Sequence, residues 1–427
     1  MDEVNKQPEY DAIIIGSGTA GATIARELCK KRKKVLILER GATVSLKENF
    51  RTIASIANQV KVGDNGLAAA RAITTGGSTS LYFATVSYPH LETFARLGID
   101  LADELEAVKQ ELPITGLPDT MLGEKGIRLR DAATAMGHVW VKRDMLVDLS
   151  KCIGGYSYEA KWKAKHFVDE AISDGATLVE RAIVQRILVE SGRAIGVEYK
   201  VNKRLSGAHV RRVYGSRIIL AAGELATPKI LRDSGVKGVG DRGFYCSPGS
   251  ALYGVIPGLN GADSFVSGMG NPYEEEIGLC DANMSLPVHR LMMLGGLKFK
   301  HLVSFAQCVG VAVKVNDDLG GTLDEQGRYY KQFDQHVHDK LNKGKQEAAK
   351  VLERAGATNV IDFGIAVAGR VGGLIRIGEH LDSNLETEYR NLHVCDGAVL
   401  PDDMKAPPTV TLVCMGKYLS KQLLARM

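Results

Sequence analysis

The 427-residue sequence predicts an α/β protein: a Rossmann-like dinucleotide-binding domain assembled from discontinuous segments, plus an α+β domain with a mainly antiparallel sheet. Three observations carry the prediction. The chain begins strand, glycine turn, helix, strand in "YDAIIIGSGTAGATIARELCKKRKKVLILERG". Buried-strand patterns ending in glycine return far downstream, in "SRIILAAG" and "NLHVCDG", as crossovers back to that first sheet. Between them, residues 246 to 345 are Gly-rich and strand-like, and an amphipathic helix runs from about 334 to 356. A chain this long exceeds the roughly 250 to 300 residues at which one core stops growing, so two domains are expected.

Gly16, Gly18 and Gly21 form G-x-G-x-x-G at the first strand-to-helix junction, with Thr19 and Ala20 opening the helix. The first glycine allows a tight turn, the second lets a pyrophosphate approach the backbone, and the third lets helix and strand pack closely. The helix N-terminus adds free N–H groups and a positive dipole for phosphate. Glu39, followed by Arg40, ends the second strand, where a carboxylate can accept ribose hydroxyls. Strand, helix, second strand and terminal acid together predict a dinucleotide. NAD and FAD use the same unit, so these residues leave the choice open.

Residues 50–72 read as a helix ending in "ITTGGSTSLYFATVSYP", in which Gly76, Gly77, Ser78, Thr79 and Ser80 have the composition of a loop around a polar cofactor. Residues 101–137 read as helical, broken at Pro113 and Pro118. "AKWKAKHFVDEAISDGATLVERAIVQRILVESGRAIGVEYK" reads as a helix, then strands with an "SGR" hairpin turn. Ala222 and Gly223 end the next buried strand before a helix near Thr227 and Pro228, and Asp396 and Gly397 end the last one. A proline turn, "KAPPTV", leads into the final helix. A dinucleotide domain drawn from the beginning, middle and end of the chain favours FAD, whose greater length needs distant segments to clasp it.

Composition excludes several classes. The net charge of +4 is too small to argue for nucleic acid, and "CKKRKKV" suits the solvated last turn of a helix. Seven cysteines without a CxxC pair suggest neither zinc nor disulfides, and a cytoplasmic location is expected. "MDEVNKQPEYD" lacks the apolar core of a signal peptide, and with no run of 18 apolar residues nothing is expected to span a bilayer. His336 and His338, two apart on a helix, do not share a face, so no metal site is expected.

With these pieces in order, the chain resembles short members of the glucose-methanol-choline (GMC) family of FAD oxidoreductases. Five ordered segments carry the resemblance: the glycine-turn unit, "TTGGSTSLYF", "GATLVERAIVQRILVESGRAIGV", "RIILAAGELATPKIL" and "NLHVCDGAVLPDDMKAPPTVTLVCMGKYLSKQLL". The resemblance implies non-covalent FAD, with the Gly16 turn at the pyrophosphate, Glu39 at the adenosine ribose, Val184 near the adenine and Gly76–Ser80 on the flavin side. Asp396, Gly397, Pro407 and Thr409 then lie under the pyrophosphate and isoalloxazine. Residues 1–90, 145–245 and 362–427 are expected to bind FAD, and residues 91–144 and 246–361 to bind substrate.

The departures bear on chemistry. The family's GGSSxIN motif has Tyr82 at its asparagine, and its HPxGT motif has Arg370 at the histidine and Val371 at the proline. Pro407 takes the position of the second catalytic His or Asn, and only Cys152 stands where short relatives carry a cysteine-rich insert. Arginine, with a pKa above about 12, cannot be the base of an alcohol oxidation. A guanidinium instead stabilises a carboxylate, an enolate or the anion of reduced flavin. The expected activity is hydride transfer between flavin N5 and a small anionic or carbonyl-bearing substrate, by a dehydrogenase or reductase rather than a sugar or alcohol oxidase. The alternatives are an Arg370 paired with a neighbouring acid, or a structural FAD in a lyase, isomerase or partner subunit. Tyr82 is a candidate hydrogen-bond donor, and His289, with His301, a candidate base read as strand histidines of the substrate domain. The electron acceptor and oligomeric state stay open.

Overall fold

The structure, a computed structural model, describes residues 8–63, 67–203, 207–271, 276–364, 367–404 and 406–427. Seven N-terminal residues of the polar leader and Lys405 of the proline turn lie outside the described residues.

The first sheet forms because four apolar runs can be buried on both faces only as parallel strands. Strand Tyr10–Ile15 sits between Val35–Leu38 and Gly207–Leu220, both parallel to it. Thr177–Val179 extends one side, and Leu392–Val394 pairs in parallel with Gly207–Leu220. The long Gly207–Leu220 strand also joins an antiparallel meander with Arg193–Lys203 and Ala182–Glu190, and Ser191 and Gly192 make its expected hairpin turn. Helix Thr19–Lys30 buries its small-residue face, and Thr409–Leu424 packs against it where Gly416 leaves no room for a side chain: a Cβ there would lie 2.9 Å from Thr23 Cβ.

The second sheet is mainly antiparallel, in the order 57–61, 68–72, 367–368, 248–255, 308–315, 277–281, 269–270, 141–142. Helix Gln335–Arg354 covers one face. Its Gly344 would place a Cβ 2.4 Å from Val313, so the helix seats directly on Val309, Val311, Val313 and Val315. Strand alternation then turns Lys314 to the other face.

Two expectations are corrected. The helix over 50–72 stops at Ile56, and strands Ala57–Lys61 and Ala68–Ala72 pair antiparallel at the edge of the second sheet. Pairing with Val367–Ala68 and Ala368–Ala69 overrides the helix preference of an alanine-rich run. His289 lies in a helix, Leu286–Gly295, not a strand, and His301 lies in a short 3₁₀ turn. Among the described residues no helix is long and apolar enough to cross a membrane.

A buried ion pair fixes the segment that precedes Arg370's partner strand. Lys331 Nζ lies 2.6 Å from Asp317 Oδ2, and Asp317 accepts the Cys246 and Ser247 N–H groups at 3.0 and 2.7 Å. Removing one charge leaves the other buried and uncompensated. Lys331→Met is therefore expected to lower unfolding free energy by about 3 to 5 kcal/mol, read from urea midpoints. An unchanged midpoint would contradict that role.

Candidate active site

The parallel strands end in register: Ile15 beside Leu38 and Leu220, and Leu220 beside Val394. Ligands bind at the carboxyl ends of such strands. The loops leaving them carry Gly16, Glu39, Ala222, Gly223, Asp396 and Gly397, and all of these line one cavity of about 950 Å³. That volume is at the upper end for cofactor pockets, about 300 to 1,000 Å³.

The glycines differ in what they permit. Gly16 has φ of 104°, and a Cβ on it would lie 2.2 Å from Ala221 O. A Cβ on Gly21 would lie 2.1 Å from Gly16 O, so this glycine sits behind the turn and not in the lining. Gly18 has nothing within 4 Å of its missing side chain; Thr19 and Ala20 follow it into the cavity wall, and the helix they open has no side-chain cap. Glu39, 7% exposed, accepts Ser17 N–H and Oγ–H on Oε2 and Gly41 N–H on Oε1. Of its roughly four acceptor sites one remains, on Oε1. Arg40 is exposed at the rim.

Gly77, Ser78 and Thr79 line the cavity, and a Cβ on Gly77 would lie 3.0 Å from Gly18 Cα, so the two glycine turns abut. Gly76 and Ser80 lie behind them: Gly76 N–H donates to Ser17 Oγ at 3.2 Å, and Ser80 O accepts the Tyr158 hydroxyl at 2.7 Å. Val184 lines the far end, and Pro407 and Thr409 the start of the last helix. Asp396 ties two strand ends together, accepting Gly223 N–H, Thr227 Oγ1–H and Ala398 N–H.

Arg370 also lines the cavity and is 4% exposed. Its backbone N–H donates to Cys246 O at 3.2 Å, continuing the pairing of residues 367–372 with 245–249. Nη2 donates to the Tyr245 hydroxyl, while Nε and Nη1 are buried without a hydrogen-bond partner. Gly372 makes this possible, because a Cβ there would strike Tyr245 Oη. Among the described residues no carboxylate forms an ion pair with Arg370. Burial lowers its pKa to about 10, opposed first by the charge of Glu224. Glu224 lines the same cavity, accepts Val371 N–H, and is itself pushed up by burial.

Sequence patterns passed over Glu224, Tyr245 and Lys314. Lys314 stands on the cavity wall, and a Cβ on Gly369 would lie 3.5 Å from its Nζ. Burial lowers its pKa to about 8, with Cys280 and Asp317 raising it and Arg143 lowering it. Its one signal in the sequence was a lone cation in the otherwise apolar strand "CVGVAVKV".

Two candidates are corrected. Tyr82 contributes its ring to the lining, but its hydroxyl proton is committed to Trp162 O. His289 is outside the cavity: it is buried in its helix with Nε2 2.9 Å from His301 O, and burial lowers its pKa.

The sequence pattern described as GMC oxidoreductase matches residues 10–242, more than half of the chain. An uncharacterised GMC-type oxidoreductase of Mycobacterium tuberculosis is 28% identical over 255 residues, 53% of this chain but only 39% of that relative's length. An uncharacterised protein of Methanocaldococcus jannaschii is 22% identical over 433 residues, covering 97% of this chain and 100% of that one. The fold resembles that of an Aspergillus oryzae formate oxidase studied for FAD modification, with a TM-score of 0.66, 15% identity and 98% of each chain covered. The site suits FAD: Gly18 leaves an open approach to an uncapped helix N-terminus, and one cavity is lined by Val184, both glycine turns and Tyr82. The chain belongs to the GMC oxidoreductase family, and its cofactor is FAD.

Proposed function

We propose that this protein is an FAD-dependent oxidoreductase acting on a small organic substrate with a carboxylate or carbonyl group, which Arg370 holds. The observation that carries this is an arginine of the cavity lining whose buried Nε and Nη1 have no hydrogen-bond partner among the described residues. A buried guanidinium costs several kcal/mol unless something anionic meets it. Each of these N–H groups is a charge-assisted donor suited to an anionic oxygen.

Bound FAD supplies two-electron chemistry, accepting or returning a hydride. The chain's residues bind and orient the reactants and move the proton. In this reading the Gly16–Gly18 turn and the helix opening at Thr19 take the pyrophosphate, the remaining acceptor site of Glu39 takes a ribose hydroxyl, and Val184 borders the adenine. Gly77, Ser78, Thr79 and Thr409 border the flavin. Residues 1–90, 145–245 and 362–427 form the FAD-binding part and residues 91–144 and 246–361 the substrate-binding part, with the edge strands 57–61 and 68–72 lent to the second sheet.

Arg370 stays charged throughout the working range and cannot take a substrate proton. Lys314 can, once neutral. With its pKa near 8 it is protonated and unable to accept below that pH, and neutral above it. Rates of anaerobic flavin reduction are expected to rise with pH through about 8 and then level, and Lys314→Met to remove that limb. A profile unchanged by the substitution would take the proton transfer away from Lys314.

Screening hydroxy and oxo acids against alcohols of the same size, by anaerobic bleaching of the flavin, tests the substrate class. Bleaching by the acids is expected; bleaching by neutral alcohols alone would overturn it. For the best acid, Arg370→Leu is expected to lower kcat/KM about 10- to 100-fold, since a charge-assisted hydrogen bond to the anion is lost. Arg370→Lys should recover a part only, because a flexible ammonium keeps the charge but not the fixed donor directions of the guanidinium.

A further inference from the structure

A second feature lies outside the cavity. Helix Leu286–Gly295 and the turns that follow it to Gln307 expose a row of large apolar side chains: Leu294 at 42%, Leu297 at 72%, Phe299 at 59% and Val303 at 92%. These are not the side chains of a loose loop. Met293 beneath them is fully buried, its carbonyl accepts Lys298 N–H at 2.7 Å, and His289 Nε2 lies 2.9 Å from His301 O. Lys125 Nζ donates to Phe305 O at 2.6 Å and sits 3.5 Å above the Phe305 ring. Leu297 is held at φ of 55°, a left-handed conformation that costs a leucine energy and that glycine would adopt freely.

The charge carried by this stretch is basic, and the exposed Asp263 lies at the N-terminus of its helix, where Oδ1 accepts Leu286 N–H at 2.8 Å. From residue 282 to 316 the sequence contains no aspartate or glutamate, while Arg290 and Lys300 are exposed and Lys298 is partly so. Helix Phe50–Ile56 packs against the Leu286–Gly295 helix and adds exposed Phe50, 57% accessible, and Arg51. Contiguous exposed apolar surface marks an interaction site. A second copy of this chain is a poor occupant, since a two-fold interface would bring Arg290, Lys298 and Lys300 against their own counterparts. Apolar side chains among lysines and arginines are instead complementary to an anionic lipid surface.

We infer that this face docks on an anionic membrane surface, inserting Leu297, Phe299 and Val303 at the headgroup boundary with Arg290, Lys298 and Lys300 on the lipid phosphates. Helix Phe50–Ile56 leads directly into strand Ala57–Lys61, whose Val60 lines the cavity.

Sedimentation of the full FAD-loaded chain with vesicles tests this. One set is phosphatidylcholine alone, and the other contains about one third phosphatidylglycerol. Binding to the anionic vesicles is expected, weakening with salt, with little binding to the neutral ones. Phe299→Glu with Val303→Glu, and separately Lys298→Glu with Lys300→Glu, are each expected to weaken it about tenfold or more. Flavin absorbance and melting temperature should stay unchanged in both variants. No sedimentation at low salt overturns the inference, as does binding that both pairs of substitutions leave intact. A dimer that Phe299→Glu and Val303→Glu disperse, without vesicle binding, would make the face a self-interface and overturn it too.

Discussion

A buried guanidinium with unpaired donors is the constraint around which this site is arranged. Arg370 is held on the cavity wall by backbone pairing with Cys246, and Tyr245 satisfies one of its nitrogens. Tyr245 can stand there only because residue 372 is glycine. The neighbouring backbone is fixed in turn by Asp317, which is neutralised by Lys331. This scaffolding spends glycine, tyrosine and a buried ion pair on positioning one cation, and leaves Nε and Nη1 unpartnered. A merely structural arginine would be closed by a carboxylate, and Glu224, the nearest in electrostatic effect, forms no ion pair with it.

The other half of the site follows from strand ends. Four parallel strands stop at the same level, so the loops after Ile15, Leu38, Leu220 and Val394 converge without any of them being near another in sequence. The glycine turns at Gly16–Gly18 and Gly76–Gly77 then meet within van der Waals distance. The second sheet closes the crevice from above with Lys314 and Gly369. The cavity is therefore lined from two different sheets.

Much of this was legible in the sequence because it is local. The glycine spacing, the acid at residue 39 and the apolar runs each report a conformation within a few residues. What was not legible depended on distant partners. Residues 68–72 look helical because alanine dominates them, yet they form a strand because Val367 and Ala368 offer a sheet edge. His289 looked like a strand residue inside a strand-rich region, although Pro287 in the first helical turn marked a helix start. Lys314 sits in an ordinary alternating strand, and only the packing of helix Gln335–Arg354 on its valine face shows that the lysine must look into the cavity. Position 370 stood out in the sequence as a cation in an apolar stretch, but its surroundings did not: the tyrosine that holds it lies 125 residues away.

The most direct test of the account is the affinity of the FAD-loaded protein for a bare carboxylate such as formate, followed by the change in flavin absorbance at neutral pH. The wild-type protein should bind formate saturably, and Arg370→Leu should weaken that binding about 10- to 100-fold or abolish it. Equal dissociation constants in the two proteins would contradict the account, and would leave Arg370 as a structural residue of the wall.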